Sequence, residues 1–253
     1  ILQPLMAAYG LARSVLIYRG RPWKRRRAVR FYRQFASAGD LCFDIGAHVG
    51  DRLVAFHTLG ARVVAVEPQP LLASMLRRLH GAKPGVTVVA AAVGSARGQA
   101  QMLVSDANPT VSTLAPSWAS RVGATPGFRA VRWNRRLTVE VTTLDALIAD
   151  HGEPRFCKID VEGYEAEALA GLNRPLAMLS FEYVPAAMDA ALSCLARLRV
   201  LGRYEFNVSV GETMRLAFPA WLDEASLVGW LETQTAGDRS GDIYARLREA
   251  QPA

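Results

Sequence analysis

With 253 residues, 51% of them hydrophobic and 21% charged, the chain has the make-up of an ordinary globular protein. It can hold one large α/β domain, or one domain with an added subdomain, and it shows no repeat or low-complexity tract. The net charge of +7 is uneven: residues 1–39 hold nine of the 30 Lys and Arg and none of the 23 Asp and Glu, so a basic arm precedes a slightly acidic remainder. No apolar run approaches the ~20 residues of a membrane span, no secretory signal stands out, and Cys42, Cys157 and Cys194 lack C-x-x-C spacing. Those cysteines read as buried small side chains of a cytoplasmic protein, not as disulfides or zinc ligands.

The arm at 1–39 reads as helical in two pieces. Leu2, Leu5, Met6, Tyr9, Ala12 and Leu16 recur near helical spacing, and Gly20 and Pro22 interrupt the run. A second piece carries Trp23 and Lys24-Arg25-Arg26-Arg27, with Phe31, Tyr32 and Phe35 behind, aromatics placed to pack the arm onto a domain at 40–253. Its charge suits an anionic surface met peripherally through residues 13–33, a nucleic acid or a phosphorylated substrate, and equally a solvated helix face.

From Leu41 strands and helices alternate. Leu41–Ile45 reads as a buried strand, followed by a glycine loop and a helix over 50–59 that Gly60 stops. Arg62–Glu67 is a second strand, and Pro68 and Pro70 turn the chain into a helix through Leu79. Val86–Ala90 is a third strand and Gln99–Val104 an extra one. Residues 105–136, rich in Ser, Pro, Gly and Arg, read as an insertion over a site or a mobile loop. Strands at Leu137–Thr142, Phe156–Asp160 and Ala177–Glu182 alternate with helices near 144–149, 165–172 and 186–200. Tyr204–Val210 and Met214–Phe218 resemble a terminal hairpin, and a helix near 220–233 closes the domain. This alternation predicts a mostly parallel sheet with helices on both faces.

The chemistry collects at strand ends. Asp44-Ile45-Gly46-Ala47-His48-Val49-Gly50 has the spacing D-x-G-x-x-x-G, unlike the G-x-G-x-x-G of nicotinamide and flavin proteins. Its glycines let backbone approach a ligand, and the helix that follows points its first amides and positive dipole end into the same space. Four strands end in acids, Asp44, Glu67, Asp160 and Glu182. In a parallel sheet those ends share one edge, where ligands bind. Such a cluster needs a cationic ligand, a metal or Lys and Arg to neutralise it. Glu67, 17 residues after Gly50, can accept from both hydroxyls of a ribose, although it also reads as a helix cap.

These motifs, with Val66-Glu67-Pro68, Ser112-Thr113-Leu114, Lys158-Ile159-Asp160-Val161-Glu162-Gly163-Tyr164-Glu165 and Phe181-Glu182, resemble the FkbM family over about residues 40–185. The resemblance implies a class I methyltransferase with a Rossmann-like fold and a mostly parallel seven-stranded sheet. It implies S-adenosylmethionine as cofactor and a hydroxyl of a sugar or natural product as acceptor. Asp44, Gly46, His48 and Gly50 would surround the methionine moiety, Glu67 and Pro68 the ribose, and Asp160 the methyl-donor end. His48 reads more readily as a loop histidine bonded to backbone than as a base. Ala91-Ala92-Val93 offers adenine no polar side chain. Asp160, Glu162 and Glu182 are the carboxylates placed nearest the reaction, with Lys158 tuning them. Lys158 and Glu162 read equally well as a local ion pair or cap. Without H-x-H or clustered His the acids do not make a metal site in the sequence, and no metal is expected.

Three other readings keep parts of this pattern. An RNA methyltransferase would use the basic arm for phosphates, but the arm's aromatics fall at packing spacing and no RNA-binding module is recognisable. A non-catalytic scaffold would have no need of Asp44, Glu67 and Asp160. A nicotinamide oxidoreductase would need a different loop spacing.

Overall fold

The computed structural model describes residues 9, 10, 13, 14, 22–235 and 237–248. Most of the first helical piece expected within 1–20 therefore lies outside the described residues. In chain order the helices are α1 (Pro22–Tyr32), α2 (Asp51–Thr58), α3 (Pro70–His80), α4 (Pro116–Gly123), α5 (Leu144–His151), α6 (Glu165–Ala170), α7 (Met188–Leu201) and α8 (Glu224–Glu232). The strands are β1 (Leu41–Ile45), β2 (Arg62–Val66), β3 (Val86–Val89), β4 (Ala92–Val93), β5 (Gly98–Val104), β6 (Arg135–Thr142), β7 (Phe156–Ile159), β8 (Met178–Tyr183), β9 (Tyr204–Val210) and β10 (Gly241–Leu247).

Seven strands form one sheet in the order β3-β2-β1-β7-β8-β10-β9. Parallel pairs run from β3 to β8, and β10 is antiparallel to both β8 and β9. β1 and β7 are buried along their whole length, as strands covered by helices on both faces must be. On one face Phe43, Ile45, Ile159, Leu179 and Phe181 pack against α5, α6, α7 and α8. On the other, Cys42, Val63, Ala65, Phe156 and Tyr244 pack against α1 and α2. The predicted mostly parallel seven-stranded α/β fold is therefore the one observed. The chain leaves β1 in one direction through β2 and β3 and returns on its other side at β7. That reversal opens a crevice at the carboxyl ends of β1 and β7, the usual ligand position in such sheets.

α1 buries Ala28, Phe31 and Tyr32, a 3–4 spacing that makes one apolar stripe. With Phe35 these rings join an aromatic cluster: Tyr32 meets Phe56 edge-on at 4.8 Å and Phe35 stacks on Tyr244 at 4.9 Å. Trp23 departs from the expected packing and is 66% exposed.

Three sequence expectations are corrected. β9 does not pair with 214–218. Its ladder partner is β10, an element absent from the sequence reading, and β10 rather than the helix near 220–233 closes the domain. Met214–Phe218 alternates like a strand but runs beside β9 through single bonds, Ala217 N to Val208 O at 2.7 Å and Phe218 N to Asn207 Oδ1 at 3.1 Å. The strands at 98–104 and 135–142 belong to a separate three-stranded sheet, β4-β6-β5. Of the two readings of residues 105–136, an insertion over a site or a mobile loop, the insertion is the one observed, with α4 in it and Trp118 of that helix 1% exposed. Among the described residues no helix is long and apolar enough to cross a membrane, and Cys42, Cys157 and Cys194 are free and buried.

Candidate active site

The loop after β1 is held by backbone. Gly46 and Ala47 both donate to Val66 O, at 2.9 and 3.0 Å, and Asp160 N donates to Ile45 O at 3.0 Å. Gly46 has φ +81°, and a Cβ there would collide with the Asp160 carbonyl, so the position admits only glycine. His48, at φ +47°, keeps its backbone N–H for Glu67 Oε2 at 2.9 Å, and its ring Nε2 lies 3.4 Å from Thr110 Oγ1. Burial pushes the imidazole down to about 4 against the pull of Asp160, so it is neutral at pH 7.

Glu67 is 3% exposed and spans the two loops, with Oε1 accepting from Gln69 N at 2.9 Å. Burial outweighs these amide bonds and raises its carboxyl to about 7. Gln69 Nε2 donates to Pro109 O at 3.1 Å and fastens the 105–114 segment over the crevice. The resulting cleft is lined by Glu67, Pro68, Gln69, Ala92, Val93, Met102 and Leu114 among others. The lining combines apolar side chains with the Glu67 carboxyl group.

Next to it, sharing Gly46, His48, Thr110, Asp160 and Glu162, is a cavity of about 250 Å³ with a charged lining. Asp44 and Lys158 are paired across β1 and β7, and Lys158 is 1% exposed. Its Nζ reaches Asp160 Oδ2 at 2.8 Å and Asp242 Oδ1 at 3.2 Å. Burial would raise Asp160, but the Lys158 ammonium holds it below the usual carboxylate range, so it is charged. Arg52 is committed to Asp51 at 2.7 Å and Glu212 at 3.2 Å. Asp44 is 2% exposed and its Oδ2 has no partner among the described residues; burial outweighs Lys158 and Arg52 and raises it to about 6.

Glu162 stands on a tight turn, at φ +55°, followed by Gly163 at φ +89°. Glu165 builds that turn: its Oε1 accepts from Val161 N at 2.9 Å and Gly163 N at 3.2 Å. Thr113 Oγ1 donates to Glu162 O at 2.6 Å, and Trp118 fills the space that a Cβ at Gly163 would need. One carboxylate oxygen each of Asp160, Glu162 and Glu182 lie within 4.8 Å of one another. Burial first, and the neighbouring carboxylates second, push Glu162 and Glu182 well above the ordinary range.

Every site residue named from the sequence except Gly50 lines one or both cavities. Gly50, at φ +83°, instead starts α2 and packs against Leu76. Sequence reasoning missed Arg52, Glu212 and Asp242, the charges that hold this edge together, and Gln69 and Met102 in the cleft. Asp242 belongs to the unforeseen β10, so no local signal marked it.

The two spaces fit S-adenosylmethionine on the chemistry of their donors. Asp44 Oδ2 and Asp160 suit an ammonium and a sulfonium, Glu67 retains lone pairs for ribose hydroxyls, and the apolar wall suits adenine. Residues 44–184, more than half of the chain, match the methyltransferase FkbM domain. Among solved structures the chain is similar to a precorrin-6y C5,15-methyltransferase from Geobacter metallireducens (13% identity, 88% of this chain and 87% of that one, TM-score 0.48). It is also similar to a TehB-like SAM-dependent methyltransferase from Corynebacterium glutamicum (11%, 88% of each chain, 0.46) and a SAM-dependent O-methyltransferase from Thermotoga maritima (10%, 90% and 67%, 0.42). No curated protein matches it. The chain thus belongs to the FkbM methyltransferase family and is an S-adenosylmethionine-dependent methyltransferase.

Proposed function

We propose that the enzyme methylates a hydroxyl of a sugar or a polyhydroxylated natural product. The observation that carries this reading is the lining of the larger cavity. Asp160, Glu162 and Glu182 offer hydrogen-bond acceptors at the end where the methyl would be presented, while Lys158 and Arg52 are already engaged. An acceptor rich in O–H donors satisfies such a wall, whereas an apolar aromatic acceptor leaves its carboxylates unpaired. When bound, the cofactor supplies a methyl on a positively charged sulfur that becomes neutral as the methyl leaves. Asp160, charged and fixed by Lys158, orients the donor end. In this reading Glu182, whose Oε2 is shut off from solvent and lacks a hydrogen-bond partner among the described residues, takes the hydroxyl proton. The cleft around Glu67 fixes the remainder of the cofactor, so that alignment rather than covalent chemistry provides most of the rate.

The outer face of α1 supports a peripheral anionic contact. Trp23, Arg25, Arg26 and Arg30 are exposed, while Arg27 donates to Glu212 O beside the charged cavity. Free, buried cysteines suit a cytoplasmic location. Incubating the enzyme with cofactor and a panel of sugars and hydroxylated natural products, and following methyl gain by mass spectrometry, tests the reading. Methylation of hydroxylated small molecules is expected. Transfer to RNA alone, lost steeply with salt, or to amines alone would overturn it.

A further inference from the structure

The charged cavity holds more carboxyl groups than its own cations and the cofactor can pair. Asp44, Asp51, Asp160, Glu162, Glu182 and Glu212 line it, against Lys158 and Arg52. S-adenosylmethionine brings an ammonium and a sulfonium but also a carboxylate, and so one net positive charge. Lys158 is spent on Asp160 and Asp242, and Arg52 on Asp51 and Glu212. Among the described residues no hydrogen bond or ion pair reaches the side chain of Glu182, and its Oε2 is sealed from solvent. Asp44, 2% exposed, lines the same cavity with an Oδ2 that has no partner among the described residues. A buried carboxylate without a hydrogen bond is costly unless a ligand completes it.

We propose that Asp160, Glu162 and Glu182 form a binding site for a hard divalent cation of the Mg²⁺ or Mn²⁺ type. The three residues offer one oxygen each, all within 4.8 Å of one another, close enough to converge on one ion. An all-carboxylate set suits Mg²⁺, Mn²⁺ or Ca²⁺ and not a thiolate- or imidazole-seeking metal. The three come from different elements held by independent means. Asp160 ends β7 and is fixed by Lys158, Glu162 sits on the turn that Glu165 and Thr113 hold, and Glu182 is in β8. Three protein ligands leave coordination positions for the acceptor. On the reading of hydroxyl methylation given above, the cation holds the acceptor oxygen and lowers the pKa of its O–H. The proton passes to a carboxylate oxygen that the cation leaves free, and the oxygen's electron pair forms the bond to the methyl carbon as the sulfur–carbon bond breaks.

The test uses Mn²⁺ itself as the probe and does not need turnover. Titrating the purified full chain with Mn²⁺ while following the electron paramagnetic resonance signal of the free ion should show one bound ion per chain, displaced by Mg²⁺ in excess. Glu182→Gln and Glu162→Gln should each weaken binding about tenfold or more. Asp189→Asn, an exposed acid paired with Arg121 away from the cavity, should leave it unchanged. Mn²⁺ should raise the thermal midpoint of the wild type and not of Glu182→Gln, a comparison that also shows whether that variant folds. No binding by the wild type at millimolar Mn²⁺, or wild-type affinity in both Glu→Gln variants, would sink the proposal. Titration of the same samples with S-adenosylhomocysteine separates the two ideas. A chain that binds the cofactor product but no Mn²⁺ loses only the cation site. One that binds Mn²⁺ but not the product loses only the methyl-transfer reading.

Discussion

The cleft around Glu67 and the cavity around Glu182 lie side by side and solve the same problem in opposite ways. Each places a carboxylate at the carboxyl end of a parallel strand, where water is scarce. Glu67 has both oxygens bonded to backbone amides of the loops it joins. Glu182 has no such bond, and its nearest charged neighbours are other acids. The first carboxylate is complete within the fold and can serve a ligand with its spare lone pairs. The second is complete only with something bound. Preformed recognition and unfinished chemistry therefore sit in separate halves of one crevice. The sharpest way to break the contrast is Glu182→Gln. Turnover should fall roughly 10²–10⁴-fold, the range of a lost proton acceptor, while S-adenosylhomocysteine binds as before by calorimetry. A variant with normal turnover would place the base elsewhere.

Lys158 decides whether the charged half stands at all. Lys158→Met leaves Asp160 and Asp242 without their shared ammonium and should destabilise the fold by about 3 kcal/mol. In thermal unfolding that is a drop of roughly 10 °C for a chain of this size. An unchanged midpoint would mean that water already carries those carboxylates. On the other side, Glu67→Ala removes two charge-assisted bonds from the loop and the acceptor from the ribose position. Cofactor-product affinity should weaken about 10–100-fold, with a smaller loss of stability. Equal loss in both variants, each measured both ways, would erase the division of labour between the halves.

The same division explains what could be read from the chain. Asp44, Gly46, Glu67 and Asp160 announce themselves because a buried strand, its terminal acid and a glycine turn are neighbours in sequence. The turn at Glu162 was visible as a motif, but its construction by Glu165 and Thr113 was not, since the second partner lies 49 residues away. Lys158 and Asp242 are separated by 84 residues. Nothing in local periodicity records that pairing. Met214–Phe218 and Gly241–Leu247 both carry strand-like alternation, and only the gap between β8 and β9 selects the second. Trp23 lies one residue into α1 and falls outside the stripe set by Ala28, Phe31 and Tyr32, so spacing alone overstated its burial.

The smallest expected effect is a pH dependence that the two halves share unequally. Burial lifts Glu67 from 4.5 to about 7 and Glu165 likewise, and Asp44 from 3.8 to about 6. A carboxyl raised in the folded state holds its proton more tightly there than in the unfolded chain. Its contribution is therefore fully present below the unfolded value and is lost as pH rises through the folded one. For Glu67 and Glu165 the window runs from about pH 4.5 to about 7. His48 acts in the other direction: lowered from 6.5 to about 4, it adds stability above pH 6.5 that disappears as pH falls through about 4. Three carboxyls outweigh one imidazole, so the ligand-free protein should melt higher at pH 5 than at pH 8. Glu67→Gln should remove a share of the slope between pH 4.5 and 7. Asp44→Asn should act mainly below pH 6, because its window closes there. If the midpoint instead climbs steadily from pH 5 to 8, the neutral imidazole governs this range and the carboxylates are better solvated than their burial implies. The separation of a finished cleft from an unfinished cavity would then rest on hydrogen bonding alone.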